Sequence, residues 1–251
     1  RHDVGDVAWI RIRRPKVLNA LNPEVYRQLQ AHFEAVRDDA KIKAAVLSGY
    51  GVKAFVSGAD INFLAAIETP EEGERTSNES KEAGVLIESL GKPVVCALNG
   101  LALGGGIELA MCCSAILVCK GLKMAAGQPE ANLGIIPGAG GTQRLPRWVG
   151  VEKAAEMIRT TRPVSSARGV ELGLFREEVE GDRLIDRAIE LARQAAAGEV
   201  ELKHPDHGPM QVPDELPEVD IGHLSKAIDA VICRAILEGC SKPLAEGLKH
   251  E

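Results

Sequence analysis

The sequence predicts an α/β fold in which a largely parallel sheet is built from strands that alternate with helices. Helical patterns of apolar residues occupy about residues 23–36 and 70–90. Short apolar or alternating runs predict buried strands around them, at residues 7–12, 44–48, 94–98 and 115–119. Strands that are separated by helices favour right-handed crossover connections, and therefore parallel pairing. The composition suits buried strands and packed helices, since 45% of the residues are hydrophobic and only 3% are aromatic.

Helices dominate the predicted structure from Val151 onward, with a long amphipathic helix at 182–197 and a last helix at about 221–237. Between these two helices, the stretch from His204 to Pro217 holds four prolines among polar residues, which indicates a linker. We therefore expect three parts in the chain, namely a core at 1–200, a proline-rich linker at 201–220, and a helical segment at 221–251 that is truncated.

The charge balance gives no general attraction to nucleic acid or to an anionic membrane, because 30 basic residues face 36 acidic ones. An anionic ligand would therefore need a local basic site. No apolar run approaches the roughly 20 residues of a membrane span. The six cysteines lie in apolar stretches without the spacing of metal ligands. We expect no metal site, and we expect buried free thiols in a reducing compartment.

Four glycine-bearing segments stand out from the rest of the sequence, at residues 53–60, 99–108, 127–130 and 134–142. Two of them follow predicted strands and open predicted helices. The first backbone N–H groups of a helix have no acceptor inside the helix and lie at its positive end. Such groups can stabilise an oxygen that gains negative charge during a reaction, and glycine permits the close approach that this requires.

The glycine run at 104–106 has simpler interpretations when it is taken alone. A tight turn or a closely packed helix start explains it equally well. A dinucleotide site is not expected, because the chain lacks a G-x-G-x-x-G pattern after its first strand. A Walker-type phosphate loop is not expected either, because no Gly-Lys-Ser/Thr follows the glycine run.

Two glutamates, Glu108 and Glu130, each follow a glycine-bearing segment and have neutral or apolar neighbours. One such glutamate would more often cap a helix or bind a surface partner. A pair invites acid/base chemistry, because one carboxyl group can take a proton from water while the other delivers a proton to carbon. This division of roles requires environments that give the two groups suitable pKa values.

The four segments together resemble the crotonase, or enoyl-CoA hydratase/isomerase, family over roughly residues 4–200. The resemblance implies an α/β spiral of repeated ββα units with a helical C-terminal part, which supports homotrimers or dimers of trimers. In that family, an alanine and the middle glycine of the triple-glycine segment donate two backbone N–H groups to the thioester oxygen. The matching positions are Ala59 and Gly105, which would form the oxyanion hole.

The resemblance also implies a reaction for the two glutamates. Glu108 would orient and deprotonate a water molecule, and Glu130 would help to hold it and protonate C2 of a trans-2-enoyl-CoA. The product would be a 3-hydroxyacyl-CoA, as in fatty-acid β-oxidation. Relatives that only shift a double bond generally lack one of the two carboxylates. Two alternatives remain, a Δ3,Δ2-enoyl-CoA isomerase and a non-catalytic or RNA-binding member, although the acidic charge balance argues against RNA binding.

Further positions match the family's substrate-binding groups. Lys53 lies where relatives place a basic residue near the nucleotide end of CoA, and Asp60, Ile61 and Asn62 resemble the segment that meets the adenine. Gly138 resembles a pocket-lining glycine. A loop lysine is usually only solvated, however, and turn geometry explains the glycine nearly as well. No cofactor is expected, since coenzyme A is part of the substrate.

The proline-rich stretch from His204 to Pro217 departs from free-standing hydratases of the family. It resembles the linker of bifunctional β-oxidation enzymes, in which a 3-hydroxyacyl-CoA dehydrogenase domain follows. The chain is therefore expected to be either the hydratase part of such an enzyme or a truncated single-domain hydratase, which leaves its oligomeric state open. Its expected location is a reducing intracellular compartment, the cytoplasm of a bacterium or the mitochondrion or peroxisome of a eukaryote.

Overall fold

The main sheet of the computed structural model, which describes residues 1–202 and 205–251, has six strands. The strand at one edge is antiparallel to its neighbour, and all other neighbouring strands are parallel. Numbered along the chain, the strands lie across the sheet in the order β1 (His2–Val4), β2 (Val7–Ile12), β3 (Ala44–Gly49), β5 (Val94–Leu98), β7 (Ala115–Cys119) and β9 (Glu177–Val179).

A second, smaller sheet contains the three short parallel strands β4 (Ala54–Val56), β6 (Leu101–Leu103) and β8 (Ala126–Gly127). The chain passes from the main sheet to the small sheet three times, from β3 to β4, from β5 to β6 and from β7 to β8. The first two passages continue directly into helices, which gives the expected ββα units. The predicted α/β class is confirmed, although the small sheet itself was not predicted, because its strands are only two or three residues long.

The α-helices surround these sheets and were predicted with varying accuracy. The helix predicted at 23–36 begins as expected, because the Asn22 side chain accepts a hydrogen bond from Val25 N at 3.0 Å. The last long helix begins later than predicted, because Ser225 is its N-cap. The helices are α1 (Pro23–Asp38), α2 (Ile61–Leu64), α3 (Pro70–Glu88), α4 (Gly105–Met111), α5 (Gly141–Val149), α6 (Val151–Thr160), α7 (Ser166–Glu171), α8 (Leu184–Ala196), α9 (Lys226–Cys240) and α10 (Leu244–Gly247).

Both faces of the main sheet are covered by apolar side chains. On one face, α8 packs against the central strands, so that Leu191 lies in one cluster with Val46 and Val95. The opposite face carries the larger cluster, to which α9 contributes Ile232 and Ile236. Burial on both faces explains why the strands β3 and β5 are apolar runs rather than alternating ones.

The proline-rich stretch follows the surface of the core. Its predicted range includes Lys203 and His204, which lie outside the described residues. From residue 205 to 225 the chain has neither helix nor strand. Met210 N donates a hydrogen bond to Cys240 O at 2.8 Å, and Arg159 donates one to Pro217 O at 2.7 Å. The division of the chain into core, linker and C-terminal segment stays a prediction. In the described parts, no helix combines the length and apolarity needed to cross a membrane.

Candidate active site

A cavity of about 880 Å³ lies between α1, the region of α2 and α3, and the first turn of α4. The structure brings eight of the nine predicted site residues to its lining, namely Ala59, Asp60, Ile61, Asn62, Gly105, Glu108, Glu130 and Gly138. Lys53 is the ninth, and it lies exposed on the loop before β4, apart from this lining. Its contact with a nucleotide stays a prediction.

Gly104 makes the sharp turn from β6 into α4, and it lines the cavity. Its backbone has φ 49° and ψ −126°, a conformation that residues with a side chain rarely adopt. The N–H of Gly104 donates to Gly127 O at 2.9 Å, which ties the turn to β8. A methyl group on Gly104 would collide with Glu130 Oε1. Glycine at this position therefore sets the turn and also leaves space for a carboxyl group.

The two predicted oxyanion-hole positions, Ala59 and Gly105, both line the cavity. Gly105 is the first residue of α4, so its N–H has no acceptor within the helix. Leu21 holds the other segment, because its N–H donates to Gly58 O at 2.8 Å and its carbonyl accepts from Asp60 N at 2.7 Å. Ala59 N lies 3.9 Å from the site of a Cβ built on Gly105, so the two segments are adjacent.

Glu108 lies in the first turn of α4 and is only 2% exposed. Its Oε1 accepts hydrogen bonds from Ala139 N at 2.9 Å and from Gly141 N at 2.7 Å. Burial raises the pKa of Glu108 well above its ordinary value, and the negative charges of Glu251 and Glu130 raise it further. The two N–H donors oppose this shift without reversing it.

Glu130 begins the 3₁₀ turn Glu130–Leu133 that follows β8, and it is 9% exposed. Burial raises its pKa to about 8, with a further contribution from the charge of Glu251. The neighbouring amide of Gln128 is buried, and with its nitrogen turned towards Glu130 it donates to both carboxylate oxygens at 3.2 Å. Gln128 therefore holds the Glu130 side chain.

The sequence did not identify Gln128 or Glu251 as site residues. Gln128 lies inside one of the glycine-bearing segments, and a buried amide beside a candidate acid could have been suspected, because buried polar groups need partners. Glu251 carries no comparable signal. It joins the site through contacts with residues more than 100 positions away along the chain.

Two buried carboxyl groups with raised pKa values can divide the roles of acid and base. Like charges in one site disfavour simultaneous ionisation, so the two carboxyl groups titrate as a coupled pair. One group can then accept a proton while the other donates one. Within residues 1–202 and 205–251, no group of three or more His, Cys, Asp or Glu side chains is arranged to hold a metal ion.

The turn at Gly104 offers a first test of this geometry. Gly104→Ala is expected to lower kcat by roughly 10²-fold, because a displacement of about 1 Å at a reacting group can cost that much. The added methyl group would push Glu130 Oε1 aside, and the positive φ adds strain. Steady-state kinetics and a thermal unfolding curve should be recorded together.

Gly121→Ala is the matched control, since Gly121 also has a positive φ, of 80°, but has no atom within 4 Å of the added methyl group. It should retain wild-type kcat, although its own positive φ also strains the backbone. Equal kcat in both variants would mean that the Gly104 turn does not place Glu130.

Comparison with known proteins gives a consistent set of matches. The family model described as enoyl-CoA hydratase/isomerase matches residues 3–204. The chain is 40% identical over 189 residues to a crotonyl-CoA hydratase of Syntrophomonas wolfei subsp. wolfei, covering 74% of this chain and 70% of that protein. It is 36% identical over 206 residues to a fatty acid oxidation complex subunit alpha of Shewanella amazonensis, covering 82% of this chain and 29% of that protein. The crystal structure of an enoyl-CoA hydratase from Bacillus anthracis superposes with a TM-score of 0.74 at 31% identity, covering 100% of this chain and 86% of that one.

Proposed function

The chain belongs to the enoyl-CoA hydratase/isomerase family, and on that premise we propose that its cavity adds water to a trans-2-enoyl-CoA to give a 3-hydroxyacyl-CoA. The predicted crotonase-type fold and the predicted enzyme class, an enoyl-CoA hydratase, are confirmed by the relatives and by the structural neighbour. The assignment of individual residues to steps of the reaction is our proposal.

One observation carries the proposal, namely that two buried carboxyl groups line the same cavity as the two residues proposed to form the oxyanion hole. Glu108 and Glu130 both line it, and so do Ala59 and Gly105, which are adjacent to each other. Hydration of an enoyl thioester needs a base for water, an acid for C2 and donors for the thioester oxygen. The cavity supplies a candidate for each of these requirements.

In the proposed mechanism, Glu108 accepts a proton from water as the water oxygen forms a bond to C3. The electron pair of the C2–C3 double bond moves towards the thioester carbonyl, whose oxygen becomes negatively charged. The N–H groups of Ala59 and Gly105 donate hydrogen bonds to that oxygen. Donors that are fixed before the reaction stabilise the developing charge without reorganisation.

Glu130 completes the addition by delivering a proton to C2. The proposed mechanism uses the state of the pair in which Glu130 carries a proton and Glu108 is ionised. Burial raises the pKa of Glu130 to about 8, which favours the protonated carboxyl group that a general acid requires. Each turnover moves one proton from water to Glu108 and one from Glu130 to carbon. The pair therefore ends with its proton on the other member, and a transfer between them through solvent restores the starting state.

The substrate would enter across an apolar rim. Ile61, Leu133 and Ile135 line the cavity and are 66%, 57% and 42% exposed. Exposed apolar groups at the mouth of a pocket are typical of ligand contact. We assign this rim to the apolar parts of the acyl-CoA, and Lys53 to the nucleotide end, where a solvated ammonium can meet a phosphate.

Assembly and cellular context stay proposals as well. The partial coverage of the Shewanella amazonensis protein is what a hydratase part of a longer multifunctional chain would give. Trimers or dimers of trimers are the assemblies that we propose for this chain. All six cysteines are free, which supports a reducing intracellular compartment.

Loss of the conjugated-enone absorbance of crotonyl-CoA provides the direct test of the proposed function. The wild-type chain should turn over crotonyl-CoA, and Glu130→Gln should lower kcat by about 10²–10⁴-fold, because glutamine cannot donate the proton that C2 receives. Glu82→Gln is the control, since Glu82 is exposed on α3, and it should retain wild-type activity.

Absence of turnover by the wild type across a series of acyl-chain lengths would reject the proposed hydration. Wild-type activity in Glu130→Gln would instead keep the hydration and reject the role of Glu130. The two results are distinguishable in the same set of assays.

A further inference from the structure

Glu251 reaches the loop that leads into α5. Its carboxylate accepts hydrogen bonds from the backbone N–H of Gly140, from Thr142 N at 2.7 Å and from Thr142 Oγ1 at 2.8 Å. These donors lie at the N-terminus of a nine-residue helix, where backbone N–H groups lack acceptors within the helix. Glu251 therefore supplies acceptors for both the backbone and the side chain of this loop.

Glu108 binds the same loop at the intervening positions. It accepts from Ala139 N and Gly141 N, while Glu251 accepts from the N–H groups at 140 and 142. Four successive backbone donors thus alternate between the two carboxylates. Any shift of the loop that weakens the contacts of Glu251 would also move the donors that orient Glu108.

The segment that carries Glu251 is itself attached to the core. Leu244 and Leu248 are buried, and Lys81 Nζ donates to Leu248 O at 3.0 Å. Gly247 lies so close to the Gln143 side chain that an added Cβ would be 2.6 Å from its Oε1. The carboxylate of Glu251 is thus held against the loop by packing on α3, α5 and α9.

We propose that Glu251 is a positioning residue for hydration. Its carboxylate fixes the loop at 139–142, so that the N–H groups of Ala139 and Gly141 hold Glu108 in the orientation that accepts a proton from water. This inference rests on the proposed function of Glu108, and it adds a residue that the pair of glutamates requires.

The charge of Glu251 also acts on the pair. It raises the pKa of Glu108 and of Glu130, because a neighbouring negative charge disfavours a second carboxylate. Burial raises the pKa of Glu251 itself, while its N–H donors and the ammonium of Lys81 oppose that shift. The groups that interact electrostatically with Glu251 are Glu108, Glu130, Lys81, Arg144 and Cys240.

Neutralising Glu251 gives an effect on the pH profile with a defined sign. Without its charge, the apparent pKa values of the carboxyl pair fall, because each ionisation meets less repulsion. Both limbs of a bell-shaped plot of kcat against pH should therefore move to lower pH in Glu251→Gln. The glutamine keeps one acceptor oxygen, so this variant should lose less of kcat than Glu251→Ala.

Removing the acceptor tests the positioning itself. Glu251→Ala should lower kcat for crotonyl-CoA by roughly 10–10²-fold, with KM changed by less than about threefold, because the misplaced group acts in the transition state. Hydrogen exchange at the amides of Gly140 and Thr142 should become faster in the same variant, as their acceptor is lost. Glu246→Gln is the control, since Glu246 is an exposed carboxylate in the same segment and should leave the kinetics, the pH profile and the exchange unchanged.

The outcomes separate this inference from the proposed function. An inactive wild type rejects the proposed hydration, whereas the exchange measurement still reports whether Glu251 fixes the loop. Unchanged exchange in Glu251→Ala overturns the inference at any level of activity. Faster exchange combined with wild-type kcat and a wild-type pH profile overturns it too, because Glu108 would then not depend on the loop.

Discussion

Glu108→Gln is expected to lower kcat for crotonyl-CoA hydration by about 10²–10⁴-fold, the range typical for loss of a general base. The glutamine oxygen can still accept the hydrogen bonds of Ala139 N and Gly141 N, which reach a single carboxylate oxygen in the wild type. The geometry of the loop should therefore survive, while the group can no longer take a proton from water. The variant isolates the chemical role of the residue from its structural role.

The same substitution should make the protein more stable at neutral and alkaline pH. The pKa of Glu108 is raised in the folded state, so the folded protein binds this proton more tightly than the unfolded chain does. Stability is then lost as pH rises from the unfolded pKa, about 4.3, through the raised folded value. Glutamine removes that loss, and we expect a gain of roughly 0.5–2 kcal/mol at pH 8.

Thermal unfolding at pH 5 and pH 8 checks the stability effect, because the gain should be larger at pH 8. Isomerisation of a 3-enoyl-CoA provides a second readout for the same variant, and it should persist if Glu130 alone moves the proton between carbons. Wild-type hydration by Glu108→Gln would contradict its assignment as the base. If Glu108→Gln is less stable than the wild type at both pH 5 and pH 8, the argument that burial of this carboxylate costs stability is contradicted.

Arg144→Met should destabilise the fold by about 3–5 kcal/mol, because it leaves a buried carboxylate without its partner. Arg144 Nε and one terminal nitrogen donate to the two oxygens of Glu88 at 2.7 and 2.9 Å, and the two side chains are only 2% and 8% exposed. The guanidinium also donates to Ala139 O at 2.9 Å, in the loop whose N–H groups bind Glu108. Denaturant unfolding monitored by tryptophan fluorescence would measure the change.

Two controls make the Arg144 result interpretable. The double variant Arg144→Met/Glu88→Leu removes both charges and should recover much of the lost stability, since an apolar pair avoids the cost of desolvation. Arg168→Met breaks the exposed ion pair with Glu171, whose side chains are 49% and 64% exposed, and should change stability by less than about 1 kcal/mol. If Arg144→Met loses less than about 1 kcal/mol of stability, the buried ion pair contributes little to the stability of the fold.

The sequence predicted the longer strands and helices because each has its own local pattern. The strands β5 and β7 occupy the predicted residues, since apolar runs between turns are typical of strands that are buried on both faces. The strand β9 lies in a region predicted as mostly helical, because three residues are too few to give a pattern. The helix α9 was placed five residues early, since Ile221 and Leu224 extend the helical pattern of apolar residues in front of its N-cap, Ser225.

The candidate site was predictable only where its residues lie within glycine-bearing segments. Glu108 and Glu130 were found because each follows such a segment, and the fold then brought both to one cavity. Gln128 was missed because its role depends on its side-chain nitrogen being turned towards Glu130, which the sequence does not indicate. Glu251 was missed because its contacts with Gly140 and Thr142 depend on the packing of helices that are distant in sequence.

The central claim is that the two carboxyl groups add one water molecule across a double bond, with Glu130 supplying the proton at C2. Crotonyl-CoA turned over in D₂O and followed by NMR tests it directly. The account predicts 3-hydroxybutyryl-CoA with one deuterium at C2, formed at a rate that Glu108→Gln and Glu130→Gln each reduce by at least about 10²-fold. Formation of this product at the wild-type rate by either variant would contradict the claim.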